Sequence, residues 1–259
     1  MKKTLLAMTA TLVLTALPSV SFAEDSPLSF NVSVTTDYRY RGITQTRFKP
    51  ALQGGADYAL PGGFYIGTWA STIKWIKDFD VKGGLELDLY GGYKGEIQKD
   101  FGYDVGLLQY AYVGNKLADA FGGGVYKNAN TTEIYGALTY GPVTGKLSYA
   151  LTNLFGNYNF TDDKSSKGSY YFDLSGTFDL GSGFSAVPHI GYQKVAKIDN
   201  ASYTDYSLTI SKDLGNGFSV SGALVGTDAD KNFYVPGPAA NSTKFLGKTS
   251  GVLAVKYVF

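Results

Sequence analysis

Beyond residue 27 the chain alternates apolar and polar positions with a period of two, the spacing of a strand with one face in each environment. Residues 28–41 set Phe30, Val32, Val34, Thr36, Tyr38 and Tyr40 against Asn31, Ser33, Thr35, Asp37, Arg39 and Arg41. That run predicts a long first strand. Similar runs predict strands at 51–60, 64–73, 85–93, 101–113, 132–140, 146–155, 169–180, 184–195, 203–214, 218–226 and 249–259, twelve in all. Leu107-Leu108 breaks the alternation and suggests a bulge.

The connections alternate in length. Leu60-Pro61-Gly62-Gly63-Phe64, Leu180-Gly181-Ser182-Gly183-Phe184 and Leu214-Gly215-Asn216-Gly217-Phe218 share one tight, Gly-rich grammar, and 94–100 and 141–145 fall in phase with them. Between these lie longer polar segments near 42–50, 74–84, 114–131, 156–168, 196–202 and 227–248. Short and long loops in strict alternation, with an even strand count, predict an all-β transmembrane antiparallel up-and-down β-barrel with short periplasmic turns and long extracellular loops.

The apolar face places Tyr58, Phe64, Tyr93, Tyr103, Tyr140, Phe178, Phe184, Phe218 and Tyr257 near the short turns. Tyr38, Tyr40, Phe155, Tyr170, Phe172, Tyr192 and Tyr206 fall near the long loops, with aliphatic residues between the two groups. Two aromatic belts around an aliphatic band are the marks of a bilayer-facing wall. A soluble sandwich would bury its aromatics centrally.

Composition narrows the class further. The 259 residues include 33 Gly, 21 Tyr, 16 Phe and no Cys, with 23 basic against 22 acidic residues. Lys2, Lys3, the apolar run from Leu5 to Leu17 and Ser21-Phe22-Ala23 read as an export signal over residues 1–23, leaving one barrel domain over 24–259. Charge balance gives no sign of a nucleic-acid partner, and the absence of Cys excludes a disulfide scaffold. No later stretch approaches the roughly 20 apolar residues of a membrane helix.

The last segment, Ser250 to Phe259, places Leu253, Val255, Tyr257 and Phe259 on one face. It resembles the C-terminal signal of bacterial outer-membrane barrels, which implies that Phe259 and Tyr257 are read by the assembly machinery and that this strand closes on strand one. Asp37-Tyr38-Arg39-Tyr40-Arg41-Gly42, with Gly62-Gly63-Phe64 in the first short turn, resembles the opening of the TorF-like porin family. That resemblance implies an outer-membrane location and a channel, and it brings no catalytic residues.

Chemistry on the polar face then reads as a pore lining. Asp37, Arg39, Arg41, Glu86, Asp88, Glu133, Asp173 and Asp205 are the constriction candidates, with opposite charges facing each other across the lumen. About twelve strands tilted near 40° leave a lumen on the order of 10 Å if no loop enters. His189, the one histidine, points inward beside Ser185 and Gln193, away from lipid, which argues against a lipid-cleaving site. Asp228-Ala229-Asp230-Lys231-Asn232 mimics the start of a calcium loop, but Phe233 stands where a Gly is needed. Gly122-Gly123-Gly124 lacks the strand and helix of a phosphate cradle.

Neither a metal, a cofactor nor a catalytic residue is therefore expected. The expected function is passive diffusion of small hydrophilic solutes across the outer membrane, with outer-membrane lipid, the assembly machinery and those solutes as partners. A non-conducting barrel acting through its extracellular loops is the alternative, and the 227–248 loop suits either a lid or an external contact.

Overall fold

The computed structural model describes residues 26–259, so the export-signal reading lies outside the described residues. Twelve antiparallel strands close into a barrel: β1 (Leu28–Thr35), β2 (Ala51–Ala59), β3 (Phe64–Thr72), β4 (Leu85–Gln98), β5 (Phe101–Tyr112), β6 (Thr131–Tyr140), β7 (Val143–Ala150), β8, β9 (Phe184–Lys194), β10 (Tyr203–Gly215), β11 (Phe218–Thr227) and β12 (Ser250–Val258). β8 is interrupted at Thr177. Its first piece, Tyr170–Gly176, pairs with β7 and β9, and its second, Phe178–Gly181, pairs with β9.

Each strand pairs with its neighbours in sequence, and β12 pairs with β1 through Val34–Val255 and Val32–Tyr257. Closure matters because lipid offers no hydrogen-bond partner to an open sheet edge. Phe259 extends the seam: its N–H donates to the Phe30 carbonyl at 3.0 Å and the Phe30 N–H donates back at 2.9 Å.

The alternation sorts faces as the sequence predicts. Val32, Val34, Leu147, Leu174, Leu208 and Leu253 are exposed on the outer wall, while Ser33, Thr35, Glu86, Glu133 and Thr209 are buried inside. Aromatic pairs ring the short-turn end: Phe64 with Tyr93 at 4.8 Å, Phe218 with Tyr257 at 4.4 Å, and Phe259 stacked on both Tyr257 and Phe30. At the long-loop end Tyr170 meets Tyr192 at 6.3 Å.

Several expectations fail in detail. β1 stops at Thr35, and residues 36–50 fold into the barrel rather than continuing the strand. Tyr38 and Tyr40 are consequently buried inside, not set in the outer belt, and Phe155 packs against the same interior cluster. Leu107 and Leu108 form no bulge: they pair in unbroken register with Ile134 and Glu133, Leu107 outward and Leu108 inward. β4 runs to Gln98 and β7 begins at Val143, so two of the short turns are tighter than expected.

Candidate functional site: the filled lumen

The lumen wall has a repeating construction in which the hydroxyl end of a tyrosine on one strand lies over a glycine on the next. Tyr90 covers Gly67, Tyr65 covers Gly92, Tyr135 covers Gly106 and Tyr171 covers Gly191; a Cβ added at Gly106 would lie 2.6 Å from Cζ of Tyr135. Gln193, Tyr171, Ser148, Tyr135, Gly106, Gly92 and Tyr65 are successive cross-strand partners. Because strands in a barrel tilt, such a row spirals, here from the long-loop end at Gln193 to the short-turn end at Tyr65.

Charged groups sit beside this spiral. Lys146 holds its ammonium 3.8 Å above the Tyr135 ring, and the Tyr65 hydroxyl donates to Asp104 at 2.6 Å. His189 lies between two carboxylates, with Nε2 2.7 Å from Asp173 and Nδ1 3.7 Å from Asp205, and the Tyr171 hydroxyl donates to Asp205 at 3.0 Å. Away from that cluster the inward positions of β9–β12 include Val187, Thr209, Ser211, Ala223 and Val252, which carry no charge.

The upper half of the lumen is filled by the first long loop. After Thr35 the chain turns inward and forms a two-stranded hairpin, Arg39–Tyr40 paired with Ile43–Thr44. Its turn residues, Arg41 (φ 46°) and Gly42 (φ 79°), both occupy the left-handed region, the geometry of a tight primed turn. Gly42 presses against β10, where a Cβ would lie 2.7 Å from Asp205 Cβ. A side chain at that position has no room.

Four of the constriction candidates fix this hairpin. Asp37 accepts hydrogen bonds from Arg39 Nε at 2.6 Å and Thr46 Oγ1 at 3.1 Å, and also from Thr44 Oγ1. Arg39 is fully buried and donates to the carbonyls of Gly42, Leu246 and Lys248, tying the first long loop to the last. Arg41 reaches across the lumen: Nη2 lies 2.7 Å from Glu133 Oε2 on β6, Nη1 lies 3.1 Å from Glu133 Oε1, and Nη1 also donates to Gln193 Oε1 on β9 at 2.6 Å. Its guanidinium lies 4.7 Å from the Tyr40 ring and 4.2 Å from the Tyr171 ring.

The other candidates line the wall around it. Glu86 accepts from the Tyr38 hydroxyl at 2.7 Å; Asp88 is buried two residues further along β4, and one of its oxygens has no hydrogen-bond partner. Asp173 and Asp205 belong to the His189 cluster. The structure thus brings Arg41 together with Glu133, and Asp173 together with Asp205, whereas Arg39 pairs with its neighbour Asp37 and does not face an acid across the pore.

Sequence reasoning missed the aromatic half of this arrangement. Tyr38, Tyr40, Tyr110, Tyr112, Ile76 and Leu117 form a buried cluster inside the barrel, with Trp69, Trp75 and Phe155 against it. The Tyr40 hydroxyl donates to Tyr110 at 2.8 Å. Other loops cap this cluster: the Lys74 N–H donates to the Gln45 carbonyl, and Leu246 and Phe245 pack with Ile43 and Tyr203, so the last long loop leans over the mouth. In the calcium-like segment Asp230 accepts from the backbone N–H of Asn232 and Phe233, the role of a turn-forming carboxylate.

Outside the wall, Asp78 lies in the second long loop with Arg47 Nε 3.0 Å away, close enough for an ion pair but not aligned for a hydrogen bond. Burial raises the Asp78 carboxyl to about 6, although Arg47 and Lys74 pull it down.

Solved porins share this architecture. The KdgM porin superposes with a TM-score of 0.53 at 8% identity over 89% of this chain and 99% of that one, and its complex with disordered oligogalacturonate gives 0.52. The COG4313 outer-membrane channel from Pseudomonas putida F1 gives 0.54 at 15% identity over 93% of this chain and 98% of that one. At these identities the likeness is one of fold, that of an outer-membrane porin barrel. No curated protein matches the sequence. Residues 22–259 match the model of a family described as a bacterial protein of unknown function (Gcw_chp), and the chain belongs to that family.

Proposed function

We propose that this protein is an outer-membrane channel of the TorF-like porin type, passing small hydrophilic solutes, in which the inward hairpin at residues 39–44 forms the constriction. The observation that carries this reading is the crossbar from Arg41 to Glu133 and Gln193, a charged polar span set in a barrel whose fold is that of porins. Asp37 and Arg39 hold the hairpin's base, and Glu86, Asp88, Asp173 and Asp205 line the wall beside it. An oligogalacturonate complex of one structural neighbour supports polar, sugar-sized solutes as the substrate class. No catalytic role is proposed for any residue. The long loops are then extracellular and the short turns periplasmic, with both strand termini at the periplasmic side.

A second reading is favoured by the filled upper lumen: a barrel that does not conduct and acts through its extracellular loops. Purified protein in a planar bilayer separates the two. Conductance steps whose size rises when Arg41→Ala removes the crossbar support the channel; a silent bilayer for both proteins favours the second reading. Where channels form, Arg41→Ala leaves Glu133, Asp173 and Asp205 without that counter-charge, so the reversal potential under a salt gradient shifts toward cation preference.

A further inference from the structure

The outer wall carries a feature unrelated to the lumen. A groove of about 610 Å³ runs diagonally across β9–β12 and β1, lined by Phe184, Ile210, Val220, Leu253 and Val34, and ends at Thr36 and Pro50 near the long loops. It forms because Gly222 stands between Ile210 and Leu253, its cross-strand partners on β10 and β12, leaving a trough where two neighbouring side chains project. Its walls are mostly aliphatic and aromatic, with Lys212 beside Phe184 at the short-turn end, a chemistry suited to an acyl chain.

Cations stand at the upper end of that trough. Lys49 immediately precedes Pro50 and is exposed. Lys244, also exposed, places its ammonium 3.6 Å from the ring of Phe48, next to Lys49 in the chain. Among the described residues no carboxylate pairs with either lysine; the nearby Asp37 is taken by Arg39 and Asp78 by Arg47. The same sign prevails over the whole face. The six segments between strands at this end (36–50, 73–84, 113–130, 151–169, 195–202 and 228–249) hold 15 Lys and Arg against 9 Asp and Glu.

We infer that this is a binding site for a phosphate-bearing lipid of the outer leaflet, one acyl chain lying in the groove and the headgroup phosphate against Lys49 and Lys244. The inference rests on the membrane placement of the barrel and not on whether the barrel conducts. Charge decides between occupants. A second copy of the chain seated on this groove through a two-fold contact would bring two sets of unpaired lysines together at the same rim, whereas an anionic headgroup neutralises one set.

The test uses the intact barrel in nanodiscs of phosphatidylcholine doped with bis-phosphorylated lipid A, with retained lipid counted by native mass spectrometry. The parent should retain lipid A and not its dephosphorylated form. Lys49→Ala/Lys244→Ala should lower retention about 25-fold, since each lysine near a charged surface contributes roughly a fivefold preference. Gly222→Leu, which fills the trough and leaves both lysines, should lower it as well. Equal retention of the dephosphorylated lipid by the unmodified protein, or unchanged retention in both variants, would overturn the site. Conversion of an oligomer to a monomer by Gly222→Leu would overturn it too, by assigning the groove to a second copy.

Discussion

Arg41 and Glu133, ninety-two positions apart in the chain, meet inside the barrel through two contacts of 2.7 and 3.1 Å, both side chains almost wholly hidden from solvent. A buried pair of this kind contributes little net stability against an apolar replacement, but removing one partner strands the other charge. Arg41→Ala should therefore destabilise the barrel by about 3 kcal/mol. Arg41→Ala/Glu133→Gln should recover much of that loss, because the remaining amide carries no charge. The measurement is the temperature at which the heat-modifiable folded band disappears from a detergent gel; additive losses would show that the two residues act independently.

Gly191 and Tyr171 give a second expectation, about packing rather than charge. The Tyr171 ring occupies the space a Cβ at residue 191 would need, and its hydroxyl serves Asp205. Gly191→Ala should cost about 1–3 kcal/mol by displacing the ring. In a Tyr171→Ala background the same change should cost far less, and a double-mutant cycle in urea reads the coupling directly.

How much of this was legible follows from which forces act locally. Val32, Val34, Leu208 and Leu253 face lipid and Ser33 and Thr35 face inward because the strand period alone dictates it, so strand number, connectivity and the inside-outside division could be read from the pattern. Tyr38, Arg39, Tyr40 and Arg41 could not, because a hairpin tucked into a lumen alternates as a strand does. One sign was present: Gly42 can take the positive φ that a tight turn inside the run requires. The crossbar to Glu133, the Tyr171–His189–Asp205 contacts and the Lys146–Tyr135 pair depend on strand register and on the path of the first loop, which no local pattern encodes.

Phe259 and Phe30 join the first and last strands through two backbone hydrogen bonds and a ring contact of 5.6 Å. Deleting Phe259 removes all three at the seam where the barrel closes. The yield of heat-modifiable barrel should fall well below that of Lys167→Ala, a change in an exposed loop residue. Matching yields would mean that the seam assembles without this contact and that Phe259 carries no assembly signal.

Asp78 supplies a pH dependence outside the membrane wall. Its carboxyl titrates at about 6 in the folded protein, raised by burial above the ordinary value of about 4 for the unfolded chain. A group whose folded value is raised binds its proton more tightly when folded, so its favourable contribution is complete below about pH 4 and is lost as pH rises through 6. The second long loop, pinned by Arg47 and by the Lys74 contact to Gln45, should thus be held more firmly in acid than at neutral pH. Asp78→Asn keeps the shape and removes the titration. Limited proteolysis of this loop should slow for the parent on going from pH 7 to pH 5 relative to a control site cut by the same protease, while the variant shows no such change. A parent loop equally protected at both pH values, or one protected better at pH 7, would mean that ionised Asp78 is stabilised by Arg47 more than burial opposes it.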